Sequence, residues 1–228
     1  MIGRSKDKLE KSEKRVQEAN KSIQIKILVV DLAETIDVGF YNDVSEKIKN
    51  LDVSILVNNA GWGEACHFDD ITLDWHLSNL RVNSGAPIML TYKLINHFLA
   101  RKSKSAIVNV SSATQDAPIP FMGVYPGSKR YLAILSYYLK DNYGDKIDIQ
   151  DLTPGFVTTK IVNHYEGRDS ISPEKCVQCS IRDLGQEFTC MPVPAHSFAI
   201  QLFHTLYRFC HLLFKILISK EERKELSQ

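Results

Sequence analysis

The sequence predicts an α/β fold in which a doubly wound parallel sheet carries helices on both faces. Short apolar runs rich in β-branched residues alternate with longer polar or amphipathic segments along the chain, a pattern typical of parallel strands joined by helical crossovers. Two of these runs end in asparagine, glycine or serine turns, and such sheets bind ligands at the carboxyl ends of their strands. With 228 residues and 44% hydrophobic content, the chain can fill one sizeable core.

The first elements are a charged helix and two strands. Residues 7–19 predict the helix, and the β-branched run at residues 23–30 predicts a strand that Asp31 closes. Residues 44–51 predict a second helix. The short apolar run at residues 53–57 then predicts a strand of the kind buried in a parallel sheet.

The middle of the chain continues the alternation. Residues 75–101 predict one long helix that Pro87 bends. Residues 106–110 predict a strand, residues 125–141 a helix, and residues 146–152 a further strand. Each predicted helix therefore connects two strands that run parallel in one sheet.

The C-terminal part is predicted to form an amphipathic helix, which divides the chain into a domain at residues 1–197 and a tail at residues 198–228. The apolar stretch at residues 198–219 is interrupted in steps of 4, 3 and 4 residues, so its polar residues form one stripe. The stripe consists of His204, Arg208, His211 and Lys215. This pattern fits a helix in a membrane interface, and equally one docked on the protein core or on a second subunit.

Composition excludes several classes of function. Lys and Arg total 28 against 27 for Asp and Glu, so no nucleic-acid partner is predicted. The five cysteines do not form a disulfide framework and favour a reducing compartment. The single C-x-x-C formed by Cys176 and Cys179 is better explained as two small helix residues than as a metal or redox site. No metal site is predicted.

The chemistry is predicted from Tyr125, Lys129 and Ser112. Tyr125 and Lys129 are four residues apart in a predicted helix and share one face. There the ammonium is expected to lower the tyrosine pKa from its usual value of about 10. Ser112 follows a strand and adds a second hydrogen bond to an oxygen beside the tyrosine, whereas its neighbour Ser111 points to the opposite face. The set fits carbonyl reduction or its reverse, although an isolated Tyr-x-x-x-Lys pair is also common on solvated helix faces.

Four separated motifs carry a family resemblance. They are the N-N-A-G run at residues 58–61, Asn83, the set Ser112, Tyr125 and Lys129, and the P-G-F-V-T-T run at residues 154–159. In this order they resemble the short-chain dehydrogenase/reductase family. Residues 106–112 and 172–174 are most similar to its membrane-associated branch of 17-beta-hydroxysteroid dehydrogenases types 3 and 12, which includes the very-long-chain 3-oxoacyl-CoA reductases.

The resemblance implies a Rossmann-like fold and an NADP-dependent oxidoreductase. Tyr125 would be the general acid for reduction, and Lys129 would lower its pKa and bind the nicotinamide ribose. Ser112 would bind the substrate oxygen. Asn83 would steady a water that links Lys129 to solvent, while its position in a helix also fits an amide bonded back to that helix.

The resemblance also implies NADP(H) as the cofactor. Arg4 stands where NADP-preferring members carry an arginine for the 2′-phosphate, although it also fits as one more charge at a basic helix start. Asp31 would contact the adenine or, alternatively, cap the next turn. The other implied cofactor contacts are Asn59, Ala60, Gly61, Val157 and Thr159, together with Tyr125 and Lys129.

The implied substrate is a lipid-like carbonyl or alcohol, either a steroid or a 3-oxoacyl-CoA. Residues 161–172 predict a loop, and in the family this region covers the substrate. The branch implies a role in lipid metabolism and fatty acid elongation at the endoplasmic reticulum membrane, with the cytoplasm as the alternative. A homodimer and a membrane surface are the implied partners.

The family's T-G-x-x-x-G-I-G turn is absent from these 228 residues. That turn belongs to an N-terminal β-α-β unit whose backbone approaches the cofactor pyrophosphate. The sequence therefore predicts a Rossmann-like sheet truncated at its N-terminus, in which the strand pair near Met1 is separated from the later strands. A catalytically impaired family member that acts as a non-enzymatic binding partner is the alternative function.

Overall fold

The structure is a computed structural model that describes residues 1–64, 67–116, 122–159, 167, 170–192, 202 and 205–206. Within these ranges short strands and helices alternate. The strands are β1 (Ile2–Gly3), β2 (Leu28–Val29), β3 (Ile55–Asn58), β4 (Ser105–Val110), β5 (Ile147–Leu152), β6 (Phe156–Val157), β7 (Ser170–Ile171) and β8 (Thr189–Cys190). The helices are α1 (Lys6–Ala19), α2 (Val38–Ile48), α3 (Leu73–Leu80), α4 (Ala86–Ala100), α5 (Val124–Tyr143) and α6 (Pro173–Asp183).

All the described strand pairs are parallel, which confirms the predicted α/β class. The largest sheet has the order β3-β4-β5-β8, and its register aligns Asn58 with Asn109 and Asn109 with Asp151. Strands β1 and β2 form a separate two-stranded sheet, and β6 and β7 form another. The separation of β1 and β2 from β3 is the one expected for a chain without the glycine-turn unit.

Side-chain caps set the starts of three helices. Asp37 accepts a hydrogen bond from the backbone N–H of Phe40 at 3.1 Å, at the start of α2. Thr72 accepts from Trp75 at 3.2 Å at the start of α3, and Ser172 caps α6 in the same way. Each cap satisfies a backbone donor that the first helical turn leaves unpaired. The Asp37 cap explains why α2 begins six residues before the predicted start.

Two other expectations are wrong in detail. The strand predicted at residues 23–30 is reduced to the two residues of β2, because the other residues there make no ladder with β1. The single long helix is instead two helices, α3 and α4, separated by a π-helical segment at Arg81–Gly85 directly before Pro87. Pro87 lies in the first turn of α4, where its missing N–H costs little.

Hydrophobic clusters fill both faces of the four-stranded sheet. On the face of α4 and α5, Phe98 and Ile107 are almost fully buried in one cluster. On the opposite face, Cys176, Cys179 and Cys190 pack with β4 and β5 as free thiols. The two cysteines of the C-x-x-C are thus core residues of α6.

The predicted C-terminal helix lies almost wholly outside the described residues. Its stripe of His204, Arg208, His211 and Lys215 is not among them, and neither is most of the predicted loop at residues 161–172. In the described part of the chain, no helix is both long enough and apolar enough to span a bilayer.

Candidate active site

Strand β4 delivers a serine to the carboxyl edge of the four-stranded sheet. Ser112 Oγ accepts hydrogen bonds from the backbone N–H of Thr114 at 3.2 Å and from its hydroxyl at 3.0 Å. The Ser112 hydroxyl also lies near enough to the Tyr125 phenol to lower the pKa of that group. Ser111 turns away and donates to the carbonyl of Leu152 at 3.2 Å. The structure therefore places Ser112, and not Ser111, against the tyrosine.

Helix α5 brings Tyr125 and Lys129 to the same edge. The Lys129 side chain is 3% exposed, and its Nζ lies 5.8 Å from the centroid of the Tyr125 ring. Nζ donates a hydrogen bond of 2.7 Å to the carbonyl oxygen of Val110, at the end of β4. The ammonium is thus fixed beside the phenol by the strand that leads to Ser112.

The expected fall in the Tyr125 pKa is wrong for this structure. Burial raises the pKa of Tyr125 above its usual value, and the Ser112 hydrogen bond opposes part of that rise. Burial also lowers the pKa of Lys129 to about 8, against the opposing effect of Asp151. Desolvation disfavours the charged form of each group. For the Tyr125 pKa this effect is larger than the lowering expected from an ammonium four residues away.

The N-N-A-G run crosses the face of the site. Asn58 Nδ2 donates to Asn109 Oδ1 at 2.8 Å and so joins β3 to β4, while Asn59 and Ala60 are exposed beyond the strand end. A Cβ on Gly61 would lie only 2.9 Å from Lys129 Nζ. A side chain at residue 61 would therefore displace the ammonium.

Asn83 lies in the π-helical segment and holds this loop in place. Its Oδ1 accepts from the backbone N–H of Trp62 at 3.0 Å, and its Nδ2 lies 2.8 Å from the Trp62 carbonyl oxygen. Nδ2 also donates to Ser128 Oγ at 3.0 Å and to Asn79 Oδ1 at 3.2 Å. Single π turns often occur at functional sites, and here one aims an amide at both the loop and α5.

The other predicted cofactor contacts lie outside this cluster. Arg4 is exposed just after β1, and Asp31 Oδ1 accepts from the backbone N–H of Ala33 at 2.9 Å, which is the turn-capping alternative. Val157 lies on β6, and Thr159 is half-buried two residues later. Arg4 and Asp31 thus belong to the two-stranded sheet, whereas the proton-transfer candidates belong to the four-stranded one.

A cavity of about 230 Å³ opens beside Tyr125. Its lining includes Phe68, Trp75 and His76 as well as the start of α5. The His76 ring stacks on Phe68 with centroids 4.6 Å apart, and its Nε2 lies 3.0 Å from the Phe68 carbonyl oxygen. The cavity is lined mostly by apolar and aromatic side chains, with Glu64 and His67 also in its wall, and a site of this kind is suited to a carbonyl carried on an apolar group.

Sequence reasoning missed Ser128 and Asp151. Ser128 Oγ receives the Asn83 amide and donates to the carbonyl of Tyr125 at 2.8 Å. Asp151 is 1% exposed on β5. The available signal for Asp151 was an aspartate inside a predicted core strand, since strands are depleted in aspartate.

Comparison with known proteins assigns the family. The family model described as short chain dehydrogenase matches residues 1–169. The chain belongs to the short chain dehydrogenase family. It is 33% identical over 208 residues to a very-long-chain 3-oxoacyl-CoA reductase-like protein of Arabidopsis thaliana, covering 86% of this chain and 65% of that protein. It is 27% identical over 202 residues to the very-long-chain 3-oxoacyl-CoA reductase of Bos taurus, covering 86% and 64%.

These relatives confirm the predicted branch, and the chain spans just under two thirds of their length. Solved structures confirm the fold. A 7beta-hydroxysteroid dehydrogenase superposes with a TM-score of 0.77 at 20% identity, covering 88% of this chain and 79% of that one. A short-chain dehydrogenase from Sphingobium yanoikuyae in complex with NADPH gives 0.74 at 21% identity, covering 91% and 84%.

Proposed function

We propose that this chain reduces a ketone on a lipid-like substrate, a steroid or a 3-oxoacyl-CoA, with NADPH, or runs the reverse alcohol oxidation. The observation that carries the proposal is the contact of Ser112 with Tyr125 and of Lys129 with the adjacent strand end, beside a mostly apolar cavity. The name of the Bos taurus relative supports the acyl-CoA class of substrate.

In the proposed reaction Ser112 and Tyr125 hold the substrate oxygen. NADPH, when bound, would supply the hydride for the carbonyl carbon. Tyr125 gives its hydroxyl proton to the oxygen, so the carbonyl becomes an alcohol and the phenol becomes a phenolate. The high pKa of the buried phenol makes that phenolate costly, and the Lys129 ammonium stabilises it as it forms. Asn83 would maintain the path by which the phenolate regains a proton.

The residues present fit the nicotinamide end of the cofactor. Lys129 would bind the ribose, with Asn59, Ala60 and Gly61 beside it and Val157 and Thr159 at the carboxamide. Gly61 supports this assignment because any side chain there would fill the space at the Lys129 ammonium. At the other end, Arg4 would bind the 2′-phosphate, and Asp31 would contact the adenine in addition to capping its turn.

Replacing Tyr125 with phenylalanine tests the assignment. Tyr125→Phe removes only the proton donor, so turnover of a 3-oxoacyl-CoA should fall by roughly 10² to 10⁴ while NADPH affinity stays close to that of the unmodified chain. Tyr131→Phe, on the exposed side of the same helix, is the matched control and should keep turnover. Full activity in Tyr125→Phe would refute the assigned acid.

A non-catalytic role is the second candidate. The division between β1-β2 and the four-stranded sheet, together with the absent glycine-rich turn, favours weak cofactor binding. NADPH titration decides between the two candidates. Saturable binding followed by turnover supports the enzyme, whereas binding of neither NADPH nor NADH supports the partner role.

We also propose that residues 198–219 bind a membrane surface, in keeping with an endoplasmic reticulum setting. Part of the attraction would come from the basic stripe, so binding of the corresponding peptide to anionic vesicles should weaken with added salt. A peptide that remains unbound at low salt would favour docking on protein, including a homodimer partner.

A further inference from the structure

Asp151 is an ionisable group inside the core that the proposed reaction leaves unused. It is 1% exposed in the middle of the sheet, and β5 is bonded to β4 on one side and to β8 on the other. Its Oδ1 has no hydrogen-bond partner in the described part of the chain. A buried carboxylate without a nearby opposite charge is strongly destabilising, so its surroundings should reveal its partner.

The register directs Asp151 toward α5. Asp151 is aligned with Asn109 on β4, and aligned residues on parallel strands point to the same face. Asn109 Nδ2 donates to Ser136 Oγ on α5 at 2.8 Å, so this face lies against α5. Lys129 precedes Ser136 by seven residues, about two turns, and therefore shares its stripe.

Lys129 is the opposite charge on that face. Its side chain is also almost fully buried, and its Nζ bonds the carbonyl of Val110, one residue beyond Asn109. The electrostatic effect of Asp151 on Lys129 favours the charged ammonium. Both groups are sealed from water, so screening between them is weak.

Several polar groups surround the carboxylate among the described residues. Burial raises the pKa of Asp151, hydrogen bonds from Ser111, Gln115 and Thr153 oppose part of that rise, and Asp116 adds to it. Asp116 is itself ion-paired with Arg130. Around Lys129 the other polar neighbours are Tyr125 and the Asn83 amide near Gly61.

We propose that Asp151 is a positioning residue that acts as the buried counter-charge of Lys129 and keeps its ammonium protonated beside Tyr125. This inference rests on the proposed function, because it explains how a lysine sealed in the core retains the charge that the phenolate requires. Asp151 touches neither the phenol nor the cavity and acts through Lys129 alone.

The test measures the protonation of Lys129 by NMR, from the pH dependence of its ¹³Cε shift without cofactor or substrate. The unmodified chain should titrate near 8. In Asp151→Asn the proton affinity of Lys129 should fall by about tenfold or more, and Asp151→Glu should restore it. Asp148→Asn is the matched control, because Asp148 lies on the same strand but pairs with Lys104 at 2.8 Å.

An unchanged Lys129 midpoint in Asp151→Asn would overturn the proposal, and so would an equal shift in Asp148→Asn. If Asp151→Asn does not fold, the interaction is measured instead by removing Lys129 and titrating Asp151. Lys129→Met should raise the midpoint of the Asp151 carboxyl ¹³C signal, and no change would overturn the proposal. Neither titration involves turnover, so a failed reductase assay and a failed pairing are distinguishable.

Discussion

The four-stranded sheet and the β1-β2 sheet differ in how completely they are enclosed. In β4 five of the six residues are buried, and the cross-strand Asn58–Asn109 bond is itself buried. In β1 and β2 no residue is fully buried, and Val29 is 52% exposed. The proton-transfer candidates lie at the end of the enclosed sheet, while Arg4 and Asp31 follow the strands of the open one. The candidates for proton transfer and for nucleotide binding therefore lie in regions of unequal burial.

Core truncation gives the largest expected contrast between the two regions. Phe98→Ala removes a 1% exposed ring from the cluster beneath β4 and should lower the free energy of unfolding by about 3–5 kcal/mol. Val29→Ala, in β2, should lower it by less than about 1 kcal/mol because the side chain remains half-exposed. Urea denaturation of both variants measures the contrast. Equal losses would show that the β1-β2 sheet is part of the same cooperative core.

The next largest effect concerns a strand that would connect the β1-β2 sheet to the four-stranded sheet. In a chimera that places a glycine-rich β-α-β unit from a family member ahead of Met1, NADPH should bind at least about a hundredfold more tightly. Each charge-assisted hydrogen bond from the added backbone to a phosphate contributes roughly 1.5–3 kcal/mol, which is enough to account for this gain in affinity. The added strand would also bridge β1 and β3.

Calorimetric titration of the chain and the chimera measures this gain. A chimera in which the unit's glycines are replaced by alanines serves as the control, because it keeps the strand but loses close approach to the phosphates. Equal affinity of the chain and the intact chimera would mean that the chain holds phosphate by another route.

The enclosed region was also the more predictable one from sequence. The β-branched run of β4 and the four-residue spacing of Tyr125 and Lys129 depend on local periodicity, which sequence records directly. The shortening of β2 depends on whether a neighbouring strand is present. The rise in the Tyr125 pKa depends on solvent exclusion by distant segments, so no local pattern carries it.

The smallest expected effect concerns a buried hydroxyl group that has no hydrogen-bond partner among the described residues. Tyr41 on α2 is 0% exposed in the cluster beside β2, and its hydroxyl has no hydrogen-bond partner among the described residues. Burial raises its pKa to about 12. Tyr41→Phe removes the unpaired hydroxyl and keeps the ring, so it should raise the free energy of unfolding by about 1 kcal/mol. Tyr138→Phe, at an exposed site on α5, should leave it unchanged. Thermal and urea unfolding of the two variants would check this, and a destabilised Tyr41→Phe would show that the open region satisfies the hydroxyl in solution.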